Sequence, residues 1–210
     1  FDQIKSSGRM ANDPAATRYV RCVADALVRV LPTHERQQAW EIIVIQDDSP
    51  NAFALPGGKI GVFEGLLKVA NTQDQLASVI GHEVAHVLAR HSAERASANI
   101  PAQLGGAVAS IYGVGQLYGM GVNALFLLPY SRSHESEADL MGLDLMAMAG
   151  FDPRASVQLW QNMAKASGGQ KPPEMLSTHP SDATRIADLN NRMKSALDIY
   201  VAALARGAGS

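Results

Sequence analysis

Cysteine is almost absent from this 210-residue sequence, with Cys22 the sole example. That excludes a disulfide framework within the chain, and it excludes a cysteine-rich metal site. Cys22 lies in an apolar helical pattern with Val20, Val23 and Leu27, so it reads as a buried core thiol. One cysteine fits a reducing compartment, and it equally fits a periplasmic domain that does without disulfides. A dominant charge is lacking too. The net charge is -2, which gives no reason to expect a nucleic-acid partner. No block of like charges forms an acidic or basic tail. Neither an internal repeat nor a low-complexity tract is present. The chain begins at Phe1 without a signal peptide, which reads as processing or trimming and gives no ground for a cytoplasmic location. Residues 207–210 read as a disordered or cloning-derived tail, leaving a single expected domain over residues 1–206.

What is present is a helix-rich pattern with one short strand region. The hydrophobic share of 47% is ample for a core. Asp13-Pro14 is a cap followed by proline in the first turn, and it predicts a helix to Pro32. Trp40 to Gln46 is rich in branched residues and predicts a strand. Asn51 to Leu55 and Lys59 to Phe63 flank the turn Pro56-Gly57-Gly58 and complete an expected small antiparallel sheet. Thr72 to Gln75 is a capping-box pattern that opens a helix predicted to reach about Arg95. Further helices are expected over Ser133–Ala149, from Asp152-Pro153 to about Ala166, and over Ser181–Ala205. The order implies a mostly helical α+β domain.

His82-Glu83-Val84-Ala85-His86 is an HExxH motif on a predicted helix. Four helical residues turn the chain by about 400°, so both imidazoles share a face and reach one ion. Glu83, beside the pair, can take a proton from the attacking water. A catalytic zinc needs a third protein ligand and an open position. Glu135 and Asp139, four residues apart, share a face of the later helix. Glu137 points about 200° away from Glu135. Glu135 as ligand and Asp139 as orienter of a histidine is the economical assignment. His91 lies about 180° round the helix from His82 and cannot join the site without a break. No HExxHxxGxxH pattern exists. His34 reads as solvated surface.

Four stretches carry a resemblance: Asn51 to Gly58, Gly81 to His86, Glu135 to Asp139, and Ser177-Thr178-His179-Pro180 with Arg185. With them the chain resembles the HtpX-like and CAAX-prenyl-protease-like zinc metallopeptidases, peptidase family M48. The resemblance implies a gluzincin fold, one zinc ion per chain held by His82, His86 and Glu135, and protein or peptide substrates. It places His179 and Arg185 near the site, where either can stabilise the oxyanion. His179 has a second role open to it, as an inhibitory fourth metal ligand that plugs the resting site. The resemblance also favours Asn51, Ala52, Phe53 and Ala54 as a sheet edge that binds the substrate strand. The chain most resembles soluble periplasmic members, often anchored as lipoproteins, and the expected role is envelope protein quality control.

From Ile100 to Tyr130 there is no charged residue and much glycine. The segment is long enough to span a membrane, but its polar residues favour a buried or lid-like element. Membrane association has two routes open to it, this segment or a removed N-terminal anchor. The competing functional class is a chaperone-like or scaffold protein that keeps zinc for stability. An intact Glu83 speaks against it, because a structural site needs no base.

Overall fold

The computed structural model describes residues 1–91, 93–94, 129–166, 175, 178–179 and 183–207. Most of the Ile100–Tyr130 segment, residues 167–174 and residues 208–210 lie outside the described residues. In chain order the elements are α1 (Asp2–Ser6), α2 (Pro14–Arg29), α3 (Thr33–Arg36), β1 (Glu41–Ile45), β2 (Ala52–Leu55) and β3 (Lys59–Phe63). A 3-10 turn follows at Glu64–Lys68, then α4 (Gln73–Leu88), α5 (Arg132–Met148), α6 (Ala155–Ala166) and α7 (Ala183–Ala205).

Asp13 caps α2 by accepting from the amides of Ala15 and Ala16 at 2.8 and 3.1 Å. Val20, Val23, Ala24 and Leu27 then face the core. Cys22 is exposed, contrary to expectation. It sits about 200° round the helix from Val20, on the solvent side.

The sheet runs in the order β1-β3-β2. The β2–β3 pair is antiparallel, as a hairpin through Gly57 and Gly58 requires, and both glycines adopt positive φ. The β1–β3 pair is parallel, with Glu41 opposite Lys59 and Ile45 opposite Phe63. The sheet is therefore mixed rather than antiparallel throughout. The segment after β1 carries the chain past the place of its neighbour, so β3 and not β2 takes the central position. Both faces of β1 are covered, which explains its unbroken run of apolar residues. Ile42 and Val44 join the main core, and Ile43 and Ile45 pack with Ile4, Phe53 and Phe63 on the other side.

Helix α4 runs through the middle of the protein, buried continuously from Gln75 to His86. The Thr72 hydroxyl accepts from the Gln75 amide at 3.2 Å, and the Gln75 side chain accepts from the Asn71 amide at 2.8 Å. The helix stops at Leu88 rather than near Arg95, because Arg90 turns into the left-handed region at φ 58°. Helix α5 begins at the Ser131 cap, which accepts from His134. It ends in a Schellman turn, with the Phe151 amide donating to Met146 and the Gly150 amide to Ala147.

α4 and α5 cross where Gly81 meets Gly142. A Cβ on Gly142 would lie 2.9 Å from the backbone nitrogen of His82, and one on Gly81 would lie 3.1 Å from the Gly142 carbonyl. Only glycine lets the two backbones approach so closely, and that approach brings His82 and His86 against Glu135 and Asp139.

Candidate metal centre

The two histidines of α4 point their Nε2 atoms at one spot, 3.0 Å apart. Glu135, from the first turn of α5, brings its carboxylate to 3.5 Å from the Nε2 of His82 and 3.4 Å from that of His86. His179 completes the group, its Nδ1 lying 3.1 Å from the Nε2 of His82 and 3.0 Å from Glu135. All four side chains are buried, and their donor atoms lie within 4.8 Å of one another. Ligands held 2.0–2.1 Å from a tetrahedral ion stand about 3.3 Å apart. The observed spacings bracket that value, and the donor set of imidazoles and one carboxylate suits a divalent metal. Glu83 is fully buried beside it. Its carboxylate makes no well-aligned hydrogen bond among the described residues, although one oxygen lies 3.2 Å from the Nε2 of His179. A buried carboxylate left in that condition fits a site completed by a cation and a water.

Charge balance around the group is tight. Burial pulls the His82 imidazole down, yet the carboxylates of Glu135 and Asp139 outweigh it and raise the group to about 9. Burial, joined by His82 and His179, holds His86 well below its ordinary value. Burial pushes the Glu135 carboxyl up, but the neighbouring His179 and His82 hold it well below the usual carboxylate range.

The histidines are braced from behind. Asp139 lies 3.0 Å from the Nδ1 of His82, off the ideal N–H direction, as an ion pair. Burial pushes the Asp139 carboxyl up, and its contacts with Arg185 and His82 more than reverse the effect. Arg185 grips Asp139 with Nε and Nη2, both at 2.6 Å. The same guanidinium reaches Glu135 at 2.9 Å and the His179 carbonyl at 3.2 Å, and it stacks on Trp160 at 3.9 Å. The ring of His86 stacks on Tyr130 with centroids 3.8 Å apart.

These placements bring together His82, Glu83, His86, Glu135, Asp139, His179 and Arg185. The family pattern of Peptidase family M48 matches residues 14–193. The chain belongs to that family. It is 42% identical over 183 residues to the mitochondrial metalloendopeptidase OMA1 of Schizosaccharomyces pombe, covering 86% of this chain and 54% of the relative. It is 30% identical over 221 residues to the beta-barrel assembly-enhancing protease of Escherichia coli, covering 95% of this chain and 45% of the relative. The chain thus spans about half the length of the curated relatives it matches.

Asn51, Ala52, Phe53 and Ala54 lie at the start of β2, the outer strand on the α4 side of the sheet, and their side chains are buried. His34 is exposed and pairs with Glu35, away from the cluster. Two residues set aside on sequence grounds lie next to the site. His91 is buried, with its Nδ1 3.0 Å from the Nδ1 of His86, and Glu137 reaches the far side of the His91 ring. The break at Arg90 folds His91 back, and no glycine or proline marks that break in the sequence.

Proposed function

We propose that the chain is a zinc-dependent endopeptidase domain, residues 1–206, in which His82, His86 and Glu135 hold the metal. The observation that carries this reading is the convergence of four buried donor atoms with a buried Glu83 beside them. Bound zinc supplies Lewis acidity, acidifying water and polarising the scissile carbonyl. The chain's own residues do the rest. Glu83 takes the proton of the attacking water and delivers it to the leaving amine. Asp139 holds the His82 ring in place, and Arg185 clamps Asp139. Its guanidinium is committed to those contacts, so Arg185 is a positioning residue here and not a donor to the developing oxyanion. The substrate strand lies along β2, read through the backbone of Asn51 to Ala54, whose buried side chains fix that strand in place.

In the described arrangement His179 shares the donor set, which is the composition of a closed site rather than an open catalytic one. We assign it the role of a resting-state plug that must leave before water and substrate enter. The relatives are named for a mitochondrial metalloendopeptidase and for a protease that enhances β-barrel assembly, and both fit quality control of envelope proteins. We place this chain in that role, in a bacterial periplasm and anchored to the membrane. Among the described residues no helix is long and apolar enough to cross a membrane.

Casein cleavage by the zinc-loaded protein tests the reading. Cleavage is expected to stop with a chelator and in Glu83→Gln, while Glu83→Gln keeps its zinc. Full activity in that variant removes Glu83 from the mechanism, and a zinc-loaded parent without any cleavage favours a scaffold. His179→Ala is expected to raise basal cleavage. A fall of roughly a hundredfold, as for the loss of one oxyanion donor, assigns His179 to the transition state alone.

A further inference from the structure

His86 offers its two ring nitrogens to two different neighbourhoods. Nε2 faces the donor set, and Nδ1 faces His91 at 3.0 Å. A nitrogen that binds a metal must present a lone pair, so the other nitrogen of the neutral ring must carry the hydrogen. The Nδ1–H of His86 then donates to the Nδ1 of His91. That leaves the hydrogen of a neutral His91 on its Nε2, which lies 3.3 Å from a carboxylate oxygen of Glu137. Each donor finds an acceptor, and the chain of bonds has one consistent direction. We propose that His91, backed by Glu137, is the positioning residue that fixes the tautomer and rotation of His86 for metal binding.

Two further observations favour a positioning role over simple packing. The first is backbone strain. Arg90 adopts φ 58°, a conformation that is unfavourable for a non-glycine residue. A helix continued past Leu88 would carry His91 to the opposite face, and the strained turn is what returns it. Such strain is characteristic of functional sites. The second is the division of labour around the two rings. The stack on Tyr130 bears on the plane of the His86 ring, and its Nδ1 meets His91. The ring of His91 is held against His134, with centroids 4.3 Å apart and planes 17° from parallel. His82 has its own brace in Asp139. Both HExxH histidines thus face the metal set with Nε2 and a partner with Nδ1, as metal-ligating histidines do.

This inference rests on the metal reading above. The test is zinc affinity, measured by competition with a chromophoric chelator, together with nitrogen-15 NMR of the zinc-loaded imidazoles. His91→Phe keeps a ring in place but removes the acceptor. It is expected to weaken zinc binding by roughly 10- to 100-fold, the usual effect of losing an outer-shell partner. The His86 Nδ1–H signal is expected to shift upfield and exchange faster with water, a change that a packing defect alone would not produce. Glu137→Ala, at a side chain 57% exposed, is expected to act in the same direction and more weakly. Glu137→Gln, whose amide oxygen still accepts, is expected to restore the parent signal and affinity. A parent that takes up no zinc overturns the metal reading. A parent that binds zinc, with His91→Phe folded and within twofold in affinity and unchanged at His86, overturns this inference alone. Should His91→Phe fail to fold, Glu137→Ala decides, and an unchanged His86 signal there overturns it equally.

Discussion

His82 and His86 sit one helical turn apart and are braced from behind by opposite means. Behind His82 lie Asp139 and Arg185, a buried charged pair, with Trp160 stacked on the guanidinium that also reaches Glu135 on the metal side. Behind His86 lies an imidazole with burial-lowered basicity, whose own partner, Glu137, is more than half exposed. The first brace draws its rigidity from charges that have no alternative partner in water. The second relies on hydrogen-bond direction and on a strained turn. Removing one member should therefore be costly on the first flank and mild for folding on the second, although both flanks act on a metal ligand.

The largest effect is expected from Arg185→Ala. It leaves Asp139 and Glu135 without the guanidinium they share, and breaking a buried pair from one side costs roughly 3–5 kcal/mol. Urea denaturation of the metal-free protein measures it, and Glu137→Ala on the other flank should barely move the midpoint. Equal losses in the two variants would erase the contrast. Next comes the ligand itself. Glu135→Gln should weaken zinc binding by more than the roughly 100-fold that an outer-shell change reaches, and Glu137→Gln should leave it close to the parent. Equal zinc loss in both folded variants would mean that the third ligand is misassigned.

A smaller change sharpens the comparison by pushing the two helices apart. Gly142→Ala places a methyl group 2.9 Å from the His82 nitrogen. Overpacking of this kind costs roughly 1–3 kcal/mol. Zinc affinity should fall as well, because the methyl group separates the helices that carry the ligands. The smallest effect belongs to Glu41 on the surface, which pairs with Lys5 and Lys59. Hydrogen bonds from these lysines hold its carboxyl below the ordinary value. A depressed carboxyl stabilises the fold above its unfolded pKa, and the contribution is lost as pH falls through the folded one. Glu41→Gln should therefore lower the urea midpoint slightly at pH 7 and not at all in strong acid.

How much of this was legible depended on whether a feature is local. The HExxH pair, Glu83 and the Glu135–Asp139 face follow from helical periodicity; the structure gathers His82, His86 and Glu135 with His179, and Asp139 pairs with His82 outside that group. His179 and Arg185 come from a different part of the chain, and only the resemblance pointed to them. The parallel β1–β3 pairing was not legible, because strand order depends on where the connection after β1 travels. Cys22 was misjudged because a period of 3.6 was matched one position too generously. His91 was excluded by assuming an unbroken helix to Arg95, and Glu137 by its position about 200° from Glu135 on the later helix. The angular argument was sound, but the helix ends at a residue with no sequence mark of an ending.

The contact between Gly81 and Gly142 has a mechanical consequence. Where backbone lies on backbone, the crossing acts as a pivot with arms of unequal length. At 1.5 Å of rise per residue, His82 lies about 1.5 Å along its arm, His86 about 7.5 Å, Asp139 about 4.5 Å and Glu135 about 10.5 Å. A tilt of about 10° between the helices would carry Glu135 by roughly 2 Å and Asp139 by less than half of that. The leverage falls on the carboxylate farthest from the fulcrum, so a slight rocking of α5 opens the donor set at Glu135 while the brace on His82 stays nearly still.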